Sequence, residues 1–402
     1  MTDWTGRDLE RQSQELFRLY EQLPSVVRED LDEAELAAAE VDEKRAARIY
    51  GASQWQLMWR KFIRNKVAIG GGVVVLLYYL AAALAGFIAP YTLTTRFSEY
   101  IYLPPQRIHF FHEGRFQPFV YDVKTEYDES FRRVFKVNYD KRIPIQFFAR
   151  GEPYTLLGFI ESDVHLFLAP GGVVSLLGTD RQGRDMFSRI LYGSQISMTI
   201  GLIGVILSLI FGSILGVVSG YYGGYIDDLI QRLIELVRSF PAIPLWMALT
   251  AAVPPHWPPT QTYFMITLIL SLVGWTWLAR QLRGQVLAIR SSDYVLAAKL
   301  AGGSDARIIF KHLIPASIGQ ITVVATLAMP AMILAETALS FLGLGLRPPV
   351  TSWGVLLKEA QNIQSIALYP WVFSPALAIT IVILAFNFLG DGLRDASDPY
   401  TV

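Results

Sequence analysis

Ser197-Met-Thr-Ile-Gly-Leu-Ile-Gly-Val-Ile-Leu-Ser-Leu-Ile-Phe-Gly-Ser-Ile-Leu-Gly-Val-Val-Ser-Gly220 contains no charged residue. About twenty apolar residues, each rising ~1.5 Å along a helix, cross the ~30 Å hydrocarbon core of a bilayer, so the stretch reads as a transmembrane helix. Gly201, Gly204, Gly212 and Gly216 would let another helix come close. Glycine is also simply common in membrane helices.

Working outward, further spans are expected at 67–89, 229–252, 263–279, 320–341 and 371–389, making an all-α polytopic protein of six helices. The 229–252 span carries Arg232, Glu235 and Arg238 in its first half, which would have to face protein or an interface. Composition agrees: 52% of the 402 residues are apolar and only 17% charged, outside the soluble class. A net charge of zero argues against a nucleic-acid partner, and lipid is the expected surroundings. Cysteine is absent, which removes disulfides, thiolate metal sites and cysteine nucleophiles.

Lys and Arg near span ends stay on the cytoplasmic side. Arg60, Lys61, Arg64 and Lys66 precede the first span. Arg280, Arg283, Arg290, Lys299, Arg307 and Lys311 lie between the fourth and fifth, whereas 254–262 has no basic residue. The protein is therefore expected in the cell membrane with both termini on the cytoplasmic side. Asp227 and Asp228 run against the pattern. The first fifty residues are acid-rich without an apolar core, a solvated tail in which Leu16, Leu19, Tyr20 and Leu23 could also form a short amphipathic helix. The long segment after the first span is expected outside. Phe110, Phe116, Phe119, Tyr121, Val123, Phe135, Val137 and Tyr139 alternate in places with polar residues, as in a small β-rich lobe.

Enzyme signatures are scarce. No Gly-Lys dipeptide is present, so the lysine loop that cradles phosphate is missing, and neither HExxH nor GxSxG occurs. His109, His112 and Glu113 form the nearest thing to a metal cluster, but strand residues three apart point to opposite faces, and surface histidines are the expected reading; no metal site is assigned. His165, His256 and His312 stand alone and read as structural. Glu336 falls in an apolar run, so it needs a partner across the bundle or a watered path; Asn387 and Asp391 are the polar residues it could join. That trio is also what a membrane-embedded enzyme would need, without a nucleophile to complete it. Asp180, Arg184, Asp185 and Arg189 precede the second span as an outer rim, either meeting a partner or solute or forming a solvated edge of little energetic weight. No catalytic residue is assigned.

Between the fourth and fifth spans runs Asp293-Tyr-Val-Leu-Ala-Ala-Lys-Leu-Ala-Gly-Gly-Ser-Asp-Ala-Arg-Ile-Ile-Phe-Lys-His-Leu-Ile-Pro315. Residues 294–301 favour helix, Gly302-Gly303 ends it, and a second helix leads back at Pro315. Small alanines suit a helix that presses closely into another protein. A plain connector is the bland alternative.

The loop resembles the coupling signature of ABC importer permeases, carried here by Tyr294, Ala297, Ala298, Gly302 and Pro315, with Leu296, His312 and Ile314 departing from the pattern. Other segments resemble the dipeptide and oligopeptide permease family in order: Leu177-Gly-Thr-Asp-Arg-Gln-Gly-Arg-Asp185, Ser219-Gly-Tyr-Tyr-Gly-Gly-Tyr-Ile-Asp227, Glu336-Thr-Ala-Leu-Ser-Phe-Leu-Gly-Leu-Gly345 with Pro348-Pro349 and Trp353-Gly354, and Asn387-Phe-Leu-Gly-Asp-Gly-Leu-Arg-Asp395 before Asp398-Pro399. The first span and the lobe fit less well. The resemblance implies a type-1 importer core at 194–392 with its coupling loop at 281–316. Around it lie a cytoplasmic tail at 1–66, a first helix at 67–89, an extracytoplasmic insertion at 90–193 and a cytoplasmic tail at 393–402. It further implies a second permease subunit, two ATPase subunits that bind ATP and Mg, an extracytoplasmic binding protein, and no cofactor in this chain. Peptides are the implied cargo. Relatives of this permease type also carry oligosaccharides or nickel, and a self-contained transporter is the remoter alternative.

Overall fold

In the computed structural model of the protein, residues 54–127, 129, 133–254, 256–362 and 367–397 are described. The expected amphipathic segment at Leu16–Leu23, the acidic stretch after it and Asp398-Pro399 lie outside them. The chain divides into two units, 1–61 and 62–402. Helix α1 (Gln54–Arg64) carries the described residues of the first.

Within the second unit, Asn65 caps α2 (Lys66–Ala83) by accepting the Ala68 N–H at 3.1 Å, and the short α3 (Ala85–Ile88) continues it. The long α4 (Met186–Tyr222) is the centre of the bundle. After it come α5 (Gly224–Ser239), α6 (Ala242–Ala251), α7 (Pro259–Ile289), α8 (Asp293–Leu300), α9 (Asp305–Ile308) and α10 (Ile314–Ala316). Then follow α11 (Ile318–Phe341), α12 (Trp353–Glu359) and α13 (Ser374–Ser397). Among the described residues, five helices are long and apolar enough to cross a bilayer, and a bent pair can make a sixth.

That bent pair is a correction. The span expected at 229–252 is two helices, α5 and α6, turned by 85° at Phe240-Pro241. Proline lacks an N–H and disfavours helix in the residue before it. The bend leaves Arg232 and Glu235 exposed and paired at 3.1 Å rather than carried into an apolar layer.

The glycines of α4 sort by neighbour. A Cβ on Gly201 or Gly204 would meet Ile333 or Met332 of α11, whereas at Gly212 and Gly216 it would come within 2.9 and 2.6 Å of backbone oxygens of Trp275 and Ala279 in α7. Small residues thus set two helix contacts at once. The first span packs on the last, with Gly71 against the Ala385 carbonyl and Tyr78 donating to the Ala378 carbonyl at 3.1 Å. Met198, Ile200, Leu270, Ile333, Val382 and Trp353 form the central core.

Between α3 and α4 lies the β-rich lobe. Strands β1 (His109–His112), β2 (Arg115–Tyr127) and β3 (Arg133–Pro144) form an antiparallel sheet in that order, and β4 (Gln146–Leu156) pairs with β5 (Ile160–Leu168) in a second. Val120, Ile143, Ile145, Phe167 and Val174 make its core. The β4–β5 hairpin is seated on the end of the first span: Tyr154 fills the space above Gly86, and the His165 ring bridges the Ala89 and Glu152 carbonyls at 2.6 and 3.0 Å. A register shift between His109 and Phe111 brings His109 and His112 both onto Phe119, so the expectation that they face opposite ways does not hold.

Candidate functional site

The segment expected to be the coupling loop stands on a buried base. Val295 of α8 and Ile308, Ile309 and Leu313 beyond it are buried with Val217, Tyr221, Leu278, Leu282 and Val286, where α4 and α7 meet. Gly302 takes φ +77°, a left-handed turn that L side chains rarely adopt, and the Gly303 N–H returns to the Ala298 carbonyl at 3.0 Å. Above that base the loop is open. Tyr294, Leu296 and Leu300 are 45%, 44% and 90% exposed, Ala297 and Gly302 are exposed with them, and Ala298 is half-buried. Pro315 is exposed in α10, after a stretch of wider helical turn over Ile309–Leu313.

The Ser219–Asp227 segment supplies the fastening, which sequence reasoning missed. Asp227 accepts two hydrogen bonds from the Arg283 guanidinium at 2.6 Å each and one from Ser219. Tyr221 donates to Asp305 at 2.6 Å while Lys299 lies over its ring at 4.7 Å, and Arg290 donates to the Gly220 carbonyl at 3.2 Å. Asp227, which opposed the charge pattern, is therefore the partner of one of its basic residues, Arg283. Its place with Ser219 and Tyr221 in one quoted motif was the available signal.

At the other end, the outer rim is not a solvated edge. Asp180, Arg184, Asp185 and Arg189 are all buried. Asp180 Oδ2 accepts from Arg184 and Arg189 at 2.7 and 2.6 Å, and both guanidiniums also donate to Glu359 at 2.7 Å. Buried charges need such closure, and Glu359 from α12 supplies what the local sequence lacked. Asp185 caps α4, accepting from the Ser188 N–H and from the Ser175 and Ser188 hydroxyls, each at 2.7 Å. Burial pushes its carboxyl up from the usual range against those bonds.

Glu336 is fully buried, and its partners are hydroxyls: Ser197 donates at 3.0 Å and Ser340 at 2.8 Å. Asn387 and Asp391 do not join it. They sit in the last turns of α13, half-buried and exposed, near the opposite end of the bundle from Glu336. A cavity of about 650 Å³ opens instead among α4, α6, α7 and α11, lined by Val205, Trp246, Trp277, Gln281 and Gln320, with Arg394 at its edge. Among the described residues, no cluster of His, Asp or Glu is arranged to hold a metal ion.

Residues 212–401 match the family described as binding-protein-dependent transport system inner membrane component, and residues 53–105 match the N-terminal TM domain of oligopeptide transport permease C. The dipeptide transport system permease protein DppC of Bacillus subtilis is 32% identical over 349 residues, 86% of this chain and 86% of that protein. The oligopeptide transport system permease protein OppC of Salmonella typhimurium is 40% identical over 223 residues, 55% of this chain and 71% of that protein. OppC of Bacillus subtilis is 38% identical over 223 residues, 55% and 70% of the two. With these matches and a bundle of membrane-crossing helices, the chain belongs to the oligopeptide and dipeptide transport permeases of the binding-protein-dependent transport family.

Proposed function

We propose that the chain is one of two pore-forming permease subunits of an ATP-driven importer that receives di- or oligopeptides from an extracytoplasmic binding protein. A second permease and two ATPase subunits complete the machine in this reading, and ATP and Mg bind to the ATPases. The observation that carries it is the apolar tip of α8 standing exposed on a buried, hydrogen-bonded base. Water does not favour a helix that leaves Leu300 and Tyr294 in the open, whereas a groove on a partner does. A tip rigidly joined to α4 and α7 can pass a partner's movement to the bundle, which then exchanges inward-facing and outward-facing states. The Lys and Arg distribution supports cytoplasmic termini and, with them, an α8 that faces the ATPases. Peptide cargo is supported by the relatives' activities, and the 650 Å³ cavity is of a size to take a short peptide.

Affinity capture of the tagged chain from native membranes, with mass spectrometry of its companions, tests this. A second permease, ATPase subunits and a binding protein are expected, and the ligand on that binding protein would name the cargo. Recovery of the intact chain alone would refute the proposal.

A further inference from the structure

Residues 342–360 leave α11 and fold back as α12 within the protein: Thr351, Ser352, Trp353, Gly354, Val355 and Leu356 are all buried. Much of what holds this re-entrant segment converges on one carboxylate. Glu336 accepts from Ser197 at Oε2 and from Ser340 at Oε1. Each of those hydroxyls also receives a backbone N–H from the segment. Trp353 N–H reaches Ser197 Oγ at 3.2 Å and Leu346 N–H reaches Ser340 Oγ at 3.0 Å, while Ser352 caps α12 by accepting the Val355 N–H at 3.3 Å.

A serine hydroxyl has one proton to give and lone pairs to receive. With its oxygen accepting a backbone amide, its proton is free to point at Glu336. Ser197 and Ser340 therefore act as adapters, turning two amides of the segment into two donors aimed at one side chain. The two carboxyl oxygens of Glu336 accept one each, whereas a side chain with an N–H in place of one oxygen would turn that hydroxyl away and strand an amide. We propose that Glu336 is the positioning residue of the re-entrant segment, its pair of carboxyl oxygens deciding where residues 342–360 lie.

The seat leaves no slack. A Cβ on Gly354 would stand 2.7 Å from both the Thr337 carbonyl and Ser340 Cβ. At the far end Glu359 is locked between Arg184 and Arg189. The segment is thus fixed at both ends against the helices, and only its consequence for uptake rests on the importer reading.

The chain has no native cysteine, so Thr351→Cys supplies a single thiol at a position 5% exposed. The rate at which a maleimide labels it in membrane-embedded protein reads the segment's seating independently of any cargo. Slow labelling is expected in the otherwise unchanged chain, at least tenfold faster labelling with Glu336→Gln, and a smaller acceleration with Ser340→Ala. Ile333→Ala, a core truncation on the same helix that leaves the serines alone, should label as slowly as the parent. Equal acceleration in Ile333→Ala, or slow labelling in both Glu336→Gln and Ser340→Ala, overturns the proposal. Should Glu336→Gln fail to accumulate in membranes, Ser340→Ala and Ser197→Ala decide it by the same readout.

Discussion

At the lobe end of the bundle Asp180, Arg184 and Arg189 are buried against a largely covered Glu359, whereas at the coupling-loop end the Asp227–Arg283 pair is partly open and sits beneath an exposed apolar tip. The same residue types do different work. Closed inside the protein, charges tie two distant segments, 180–189 and the end of α12, into one piece, and removing any one of them strands the others. Near the surface they only brace a loop, leaving its apolar residues outside. One end is closed among the described residues, and at the other the described residues leave an apolar tip open.

That contrast can be broken most severely at Arg189. Arg189→Ala leaves Asp180 and Glu359 buried near each other with a single cation between them, and should cost about 3–5 kcal/mol. Thermal unfolding in detergent would register it, and an unchanged melting temperature would mean the cluster is solvated after all. Asp227→Ala should cost less, about 1–2 kcal/mol, because the abandoned Arg283 can reach water. A loss equal to that of Arg189→Ala would erase the distinction between the two ends.

Gly302→Val sharpens the comparison differently. Nothing lies within 4 Å of its Cβ position, so the only cost is the left-handed backbone, about 1–2 kcal/mol. The prediction is a nearly normal melting temperature with ATP hydrolysis uncoupled from uptake; unaltered transport would count against the coupling role of the loop. At the junction of lobe and first span, partial burial works to raise the pKa of Glu152, but hydrogen bonds from Thr92 and Thr95 outweigh it and hold the carboxyl below its usual 4.5. Its stabilising contribution is therefore present above that value and lost as pH falls through the lower folded one. Thr92→Val should remove part of this acid sensitivity, measured as melting temperature against pH. Smallest in stability is Leu300→Glu, at a residue 90% exposed: unfolding should not change, while capture of the ATPase subunits should drop.

The membrane class, most spans, the lobe and the helix–glycine–helix form of the coupling loop were legible because each follows from local pattern. An apolar run of twenty needs a bilayer, and Gly302-Gly303 stops a helix wherever it occurs. The candidate site was legible only in pieces. Glu336 announced its need for partners by standing in an apolar run, but nothing in the sequence marked serines 139 residues away in α4 or four along in α11 as those partners. Expecting Asn387 and Asp391 to meet it ignored that α11 and α13 run in opposite directions, which puts their polar ends apart.

By itself, then, the sequence determined that this is a multi-span permease with a β lobe and a helix–glycine–helix loop, since hydropathy, turn residues and motif order are properties of short stretches. Only the tertiary structure decided that the outer charges are buried, that Glu359 closes them, that Asp227 braces the coupling loop, and that the third span is bent. Each of these depends on which distant segments pack side by side, and the glycines at 201, 212, 216 and 354, where a Cβ would collide with a neighbour, permit that approach through packing rather than local preference.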